Sequence, residues 1–95
     1  MKQTSIHSRL IGVFYANSLF SGYGHHRVEV ELEYQGNYQK FYAITNNMPE
    51  IDKIKSLEEP NVKYMQLYML ISNDIEEQVF EWILSIENQD YETNI

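Results

Sequence analysis

The stretch Arg27–Thr45, RVEVELEYQGNYQKFYAIT, decides the fold of this chain. Apolar residues alternate with glutamates through its first half, and a second apolar run follows the pair Gly36–Asn37. Alternation with a period of two is typical of a half-buried strand. Gly36–Asn37 supplies the positive φ angles that a two-residue turn needs. The stretch therefore predicts an antiparallel hairpin.

A turn at Gly36–Asn37 also predicts the register of this hairpin. Glu33 would face Lys40, and Leu32 would face Phe41, so a charge pair and an apolar pair form together. The second strand is apolar on its other face as well, where Tyr38, Tyr42 and Ile44 lie. We therefore expect a helix or another subunit to cover that face.

Four further elements are predicted around the hairpin. Residues 6–16 are rich in β-branched and aromatic side chains and predict a strand, with a bulge or a close backbone approach at Gly12. Pro49 suits the first turn of a short helix, which must end before Pro60. Residues 62–71 are apolar on both faces and compatible with a strand or a helix; their short length favours a buried strand.

The fourth of these elements is a C-terminal amphipathic helix. Ser72, Asn73 and Asp74 suit its N-cap, and a single apolar stripe follows at helical spacing. That stripe comprises Ile75, Val79, Trp82, Ile83 and Ile86. Residues 89–95 are expected to form a frayed or disordered tail. The order β-β-β-α-β-α predicts a single α+β domain over residues 1–95, with a mostly antiparallel sheet of about four strands packed by the two helices.

Composition excludes several classes of function. The chain has 95 residues and no cysteine, so disulfides, thiolate catalysis and cysteine metal sites are absent. No histidine pair has a metal-chelating spacing, and we expect no metal and no cofactor. The first residues lack the apolar core of a signal peptide, and no apolar run is long enough to span a bilayer. These features predict a cytoplasmic protein that does not act on membranes.

Charge is distributed unevenly along the chain. Its seven basic residues balance seven acids before Asp74, and the remaining seven acids all lie in 74–95. A one-signed end attracts basic partners and repels phosphates, so direct binding of nucleic acid is disfavoured. The acidic end is consistent with plain solubility, or with a docking surface for a basic protein that includes mimicry of a nucleic-acid backbone.

The clearest candidate binding residues lie on the C-terminal helix. Phe80 and Leu84 form an i,i+4 pair displaced from the main apolar stripe, beside the acids Glu77, Glu81 and Glu87. The pair either sinks between the sheet and the first helix or faces a partner, of which a second copy is the simplest.

Two other groups of side chains are candidates. The chain has eight tyrosines, a residue common both on sheets and at interfaces; Tyr38 and Tyr42 stand on the hairpin face that also carries acids. The loop with Tyr23, His25, His26 and Arg27 gathers a phenol, two imidazoles and a guanidinium, which suit anion binding or acid–base work. Adjacent histidines that enter a strand point to opposite faces, however, and so cannot share a metal.

These observations favour a small protein–protein interaction or regulatory module, self-associated as a homodimer, over an enzyme. Two alternatives remain open at this point. One is an acidic inhibitor that mimics a nucleic-acid backbone, and the other is a ligand binder or enzyme built on residues 23–27. The sequence names no specific partner.

Overall fold

Three antiparallel strands and two helices build the described part of the chain. The structure, a computed structural model, describes residues 11–93, and their side chains as far as Asn88. The elements are β1 (Gly12–Gly22), β2 (His25–Tyr34), β3 (Asn37–Thr45), α1 (Met48–Lys55) and α2 (Pro60–Thr93), and the sheet order is β1-β2-β3. The predicted α+β domain is confirmed, with three strands in place of about four.

The hairpin of β2 and β3 is confirmed, but its predicted register is wrong by two residues. The turn lies at Gln35–Gly36, where φ is 51° and 81°, so Tyr34 pairs with Asn37. Lys40 consequently pairs with Glu31. The second turn position is Gly36, and its positive φ angle favours glycine. The Asn37 side chain stabilises the turn by donating hydrogen bonds to the carbonyls of Tyr34 and Gln35.

One face of the sheet forms the core. The side chains of β2 that point to this face are buried together with Phe41 of β3: Val28, Val30, Leu32 and Tyr34. Both helices pack on this face. The predicted faces of the hairpin are therefore correct despite the register, because a slip of two residues leaves every side chain on its original face.

The first strand ends later than predicted. β1 spans Gly12–Gly22, while residues 6–10 of the predicted strand lie outside the described residues. The register with β2 shifts between Val13 and Tyr15 and again between Phe20 and Gly22. The expected irregularity is thus found just after Gly12 and not at it.

Helix α1 agrees with its prediction. The Asn47 side chain caps it by accepting a hydrogen bond from the Glu50 amide at 3.4 Å, and Pro49 sits in the first turn. Ile51 and Ile54 are buried against the sheet and α2. The helix ends at Lys55, five residues before Pro60.

Helix α2 corrects the prediction for residues 62–71. These residues are the first turns of a 34-residue helix and not a strand, and Ser72, Asn73 and Asp74 are internal rather than capping residues. The physical reason is a continuous buried face, spaced by four, four, four, four and three residues: Leu67, Ile71, Ile75, Val79, Ile83 and Ile86. Packing of that face on the sheet outweighs the local capping preference of three polar residues.

The far end of α2 continues to Thr93, through most of the segment for which the sequence predicts a frayed tail. The side chains of residues 89–93 and the whole of 94–95 lie outside the described part. A helix of 34 residues is about 51 Å long at 1.5 Å per residue. This matches the 50 Å longest dimension of the described residues, so α2 runs the length of the domain.

Tyr68 is buried on the core face of α2. Its burial makes the free energy of unfolding depend on pH in the alkaline range. Burial, with a smaller contribution from Glu76, raises the pKa of Tyr68 from 10.0 to about 12. The folded chain therefore holds the phenol proton more tightly than the unfolded chain does. We expect the free energy of unfolding to fall as the pH rises from 10 towards 12, because only the unfolded tyrosine then ionises freely.

Urea titrations across this pH range check that expectation. Tyr68→Phe removes the ionisable group while keeping the ring, so it should lose less stability over the same range. A parallel decline in the variant and the parent chain would contradict the assignment of this pH dependence to Tyr68.

Candidate interaction surface

An apolar stripe follows the solvent-facing flank of α2. It consists of Val62, Met65, Met69, Phe80 and Leu84, and is called the α2 stripe below. Their side chains are between 38 % and 60 % exposed. The spacings are three, four, eleven and four residues, and eleven residues are close to three helical turns. The five side chains therefore share one face of the helix.

The α2 stripe lies apart from the side of the helix that packs on the sheet. That side is fully occupied, since Ile71, Ile75 and Val79 are all completely buried. The predicted pair Phe80 and Leu84 is thus partly exposed and does not sink between the sheet and α1. The helix carries more apolar surface than its own fold covers.

Three members of the α2 stripe escape prediction from the sequence. Val62, Met65 and Met69 fall in residues 62–71, for which the sequence predicts a strand, and neighbouring residues of a strand point to opposite faces. The signal that finds them is their spacing of three and four, which continues to Phe80 in helical phase. If the helical repeat is extended from Ile75 towards the N-terminus, all three residues fall on the same face as Phe80.

A shallow groove adjoins the N-terminal end of the stripe. It lies between α1 and the first turns of α2 and has a volume of about 300 Å³. Its lining combines an apolar floor with one basic and one acidic side chain: Glu50, Lys53, Ile54, Leu57, Val62 and Gln66. Val62 belongs to both features, so the stripe and the groove form one continuous surface.

The three predicted acids of α2 have different surroundings. Glu77 and Glu81 are exposed, as expected of a solvated acidic flank. Glu87 is half-buried, and its Oε2 accepts a hydrogen bond from the buried Tyr34 hydroxyl at 2.6 Å. A carboxylate held this way ties the end of β2 to α2. Glu87 therefore has a structural task beside any role at an interface.

The outer face of the sheet is a second exposed surface. No helix in the described part of the chain packs on it, and Tyr38 and Tyr42 are both about half exposed. The Arg27 guanidinium lies 4.1 Å from the centre of the Tyr42 ring. The rings of Phe14 and Tyr38 pack edge-on, with 5.0 Å between their centres.

A row of half-buried glutamates runs through the middle of this face along β2: Glu29, Glu31 and Glu33. Each lies between neighbouring residues of β1 and β3 in the sheet register. Tyrosines of the two outer strands flank the row, together with Lys40, which pairs with Glu31. The outer face is therefore mixed in character, and the α2 stripe is itself interrupted by polar residues between Met69 and Phe80.

The structure does not bring the four candidate residues of the β1–β2 loop together. Tyr23 stands at the tip, 99 % exposed, with φ at 52°. His26 is buried, and its Nδ1 lies 2.9 Å from Ser18 Oγ. His25 is half-exposed on the opposite side of the strand, and Arg27 covers Tyr42. The predicted divergence of the two histidines is confirmed.

The described side chains contain no group of three or more histidine, aspartate or glutamate residues placed to hold a metal ion. Within the same range, no helix has the length and apolarity required to cross a bilayer. Comparison with protein-family models, with curated proteins and with solved structures found no match.

Proposed function

We propose that this chain is a protein–protein interaction module that self-associates through the α2 stripe. The observation that carries the proposal is the length of the stripe on one helical face. Its five apolar side chains fall in two groups, at residues 62–69 and 80–84, and span 23 residues, or about 33 Å of helix. Exposed apolar side chains grouped on one face, bordered by polar residues, mark interaction sites.

Charge is compatible with the α2 stripe as the surface that meets a second copy. Self-pairing of the outer sheet face would bring two rows of glutamates together, each row partly offset by Arg27 and Lys40 on the same face. Between Val62 and Leu84, Glu76 is the acid that lies on the same face of the helix as the stripe. Glu77 and Glu81 lie beside that face. Two copies can therefore bury apolar side chains against each other and leave most acids in water.

The mechanism follows from the two kinds of side chain. Burial of the apolar groups supplies the affinity of the contact. The exposed acids at Glu77 and Glu81 act at longer range, because a one-signed patch attracts basic proteins and repels phosphate backbones. The assembled module would thus select basic partners and exclude nucleic acid.

The proposed inhibitor that mimics a nucleic-acid backbone gains no support from the arrangement of acids. That function needs the glutamates of β2 and the acids of α2 on one continuous surface. Glu29, Glu31 and Glu33 lie on the outer face of the sheet, while α2 packs on its inner face. The sheet separates the two sets. For the alternative based on residues 23–27, the described side chains of Tyr23, His26 and Arg27 point to different surroundings and do not converge on one ligand position.

The proposal is tested by Phe80→Glu, which places a charge in the C-terminal half of the stripe, next to Leu84. We expect the mass in sedimentation equilibrium to fall from that of a dimer towards 11.3 kDa, the mass of one chain. Far-UV circular dichroism should stay unchanged, since Phe80 lies outside the buried face of α2.

The matched control is Gln78→Glu, which adds the same charge at an exposed position of α2, about 200° around the helix from Phe80. It should leave the dimer intact. Tyr42→Glu serves as the corresponding probe of the outer sheet face. Dissociation by Tyr42→Glu with an unchanged mass for Phe80→Glu would contradict the proposal and place the interface on the sheet.

A further inference from the structure

We propose that the outer edge of β3 accepts an extended, basic segment of a partner protein as a fourth strand of the sheet. Backbone hydrogen bonds along the edge supply the affinity, and the glutamates of β2 select basic side chains. The inference goes beyond the proposed self-association, because it assigns a different surface to a different partner. It holds for a single chain as well as for a dimer.

Every second residue of β3 directs its backbone N–H and C=O groups away from β2. Tyr34 and Asn37 flank the two-residue turn, so they form a hydrogen-bonded pair of the antiparallel ladder. Hydrogen-bonded and non-hydrogen-bonded pairs alternate from there. The outward-directed groups therefore belong to Tyr38, Lys40, Tyr42 and Ile44. In the described part of the chain β3 pairs with β2 alone, so these groups are available to a further strand.

β3 is the more regular of the two edges of the sheet. It pairs with β2 from Asn37 to Thr45 without a register shift, and it contains no glycine or proline. β1, the other edge, shifts register twice, and the Tyr64 ring of α2 packs against its Tyr15. Bulges and covering elements protect an edge against strand addition, whereas β3 has a single charged residue, Lys40. β3 is thus the edge that is open to another strand.

The side chains beside this edge favour a basic occupant. Glu29 and Glu31 are half-buried on the outer face, and neither makes an ion pair or a hydrogen bond with another side chain of the described residues. The Arg27 guanidinium lies over the Tyr42 ring, and Lys40 stands opposite Glu31 without forming an ion pair. Three glutamates against two basic residues leave the face net negative. A basic side chain from a partner would give these carboxylates a charged partner.

A basic side chain on an added strand can reach the glutamates. Neighbouring strands lie about 4.8 Å apart, so the added strand is about 10 Å from β2. Side chains on this face already bridge two strand spacings, since the rings of Phe14 on β1 and Tyr38 on β3 pack across β2 with 5.0 Å between their centres. The half-exposed rings of Tyr38 and Tyr42 also offer cation–π contacts, as Tyr42 does to Arg27.

Two synthetic peptides test the proposal by isothermal titration and amide NMR. Arginine alternates with valine in the first, and glutamate replaces arginine in the second. We expect the arginine peptide to bind about tenfold more tightly or better, because the two peptides have the same strand propensity and opposite charge. Its affinity should fall as salt is added. The amide signals of residues 38–44 should shift on binding.

Three variants separate the edge from the charge. Lys40→Pro removes an N–H that points away from β2, so the ladder with β2 stays intact, while Lys40→Gln removes the charge and keeps that N–H. We expect the proline variant to bind the arginine peptide about tenfold more weakly than the glutamine variant. Combined Glu29→Gln and Glu31→Gln should lower the affinity by about tenfold as well. Circular dichroism checks that each variant is folded.

Several results would overturn the proposal. A folded Lys40→Pro variant that binds as tightly as Lys40→Gln would remove the edge from the site. Equal binding of the two peptides, or an unchanged affinity of the double glutamine variant, would remove the charge selection. Undetectable binding, or amide shifts confined to α2, would exclude β3 as the docking strand. A chain that sediments as a monomer and binds the arginine peptide would overturn the proposed self-association alone.

Discussion

Replacement of Asn73 by proline is expected to remove about 3 kcal/mol or more of folding free energy, enough to unfold a large fraction of the chain. Asn73 is exposed and lies in the middle of α2. Proline there has no N–H to donate to the carbonyl of Met69, and its ring clashes with that carbonyl. Kinking α2 would pull Ile71 and Ile75 out of register with the sheet.

Asn73→Ala is the matched control for the proline variant. It removes the same side chain but favours the helix, so the free energy of unfolding should stay equal or rise slightly. Urea unfolding followed by circular dichroism measures both variants. A proline variant as stable as the alanine variant would mean that residues 72–74 form a break, as their capping preference suggests, and would contradict the continuous helix.

Truncation of Trp82 is the second change with a large expected effect. The centre of the indole ring lies 5.6 Å from the centre of the Phe41 ring on β3 and 6.4 Å from that of the Tyr34 ring on β2. Both ring pairs are edge-on. It joins the C-terminal half of α2 to two strands. Trp82→Ala leaves a void between helix and sheet, and core substitutions of this type cost about 3–5 kcal/mol. Because Trp82 is half-buried, we expect a loss at the lower end of this range.

Trp82→Phe keeps an aromatic edge against Phe41 and Tyr34 and should cost clearly less than the alanine variant. Circular dichroism is the suitable measurement, since Trp82 is the single tryptophan and fluorescence is lost with it. Equal stability of Trp82→Ala and the parent chain would mean that the indole does not pack on the sheet. The assignment of the side of α2 that packs on the sheet would then be wrong.

The hairpin shows what alternation in a sequence can and cannot determine. Glutamates between apolar residues fix which face of β2 is buried, and the structure agrees. The register depends on which residues take positive φ, and the Gln35–Gly36 and Gly36–Asn37 pairs both contain the glycine. Both placements keep the same faces, so hydrophobic pattern alone cannot separate them. The deciding contacts are the Asn37 amide bonds, which a sequence does not display.

The sequence predicts a strand for residues 62–71, although a short segment with apolar residues on both faces fits a strand or a helix. Three of its neighbours, Ser72 to Asp74, also resemble a helix start. The long-range contacts of Leu67 and Ile71 decide the outcome, since they extend the buried face that Ile75 begins. Local preferences of a few tenths of a kcal/mol are overridden by such packing.

The candidate surface was only partly accessible to sequence reasoning. The displacement of Phe80 and Leu84 on the helical wheel leaves open whether they sink between the sheet and α1 or face a partner, and the structure places them at the surface. Val62, Met65 and Met69 were missed together with their helix. The hydrogen bond between Tyr34 and Glu87 joins residues 53 positions apart, and no local pattern predicts it.

The central claim of this account is that α2 uses one side for its own sheet and its exposed apolar stripe for a second copy of the chain. Sedimentation equilibrium of the unmodified chain over a concentration series tests it most directly. We predict a mass that rises with concentration from 11.3 kDa towards twice that value. A mass that stays at 11.3 kDa throughout would contradict the claim.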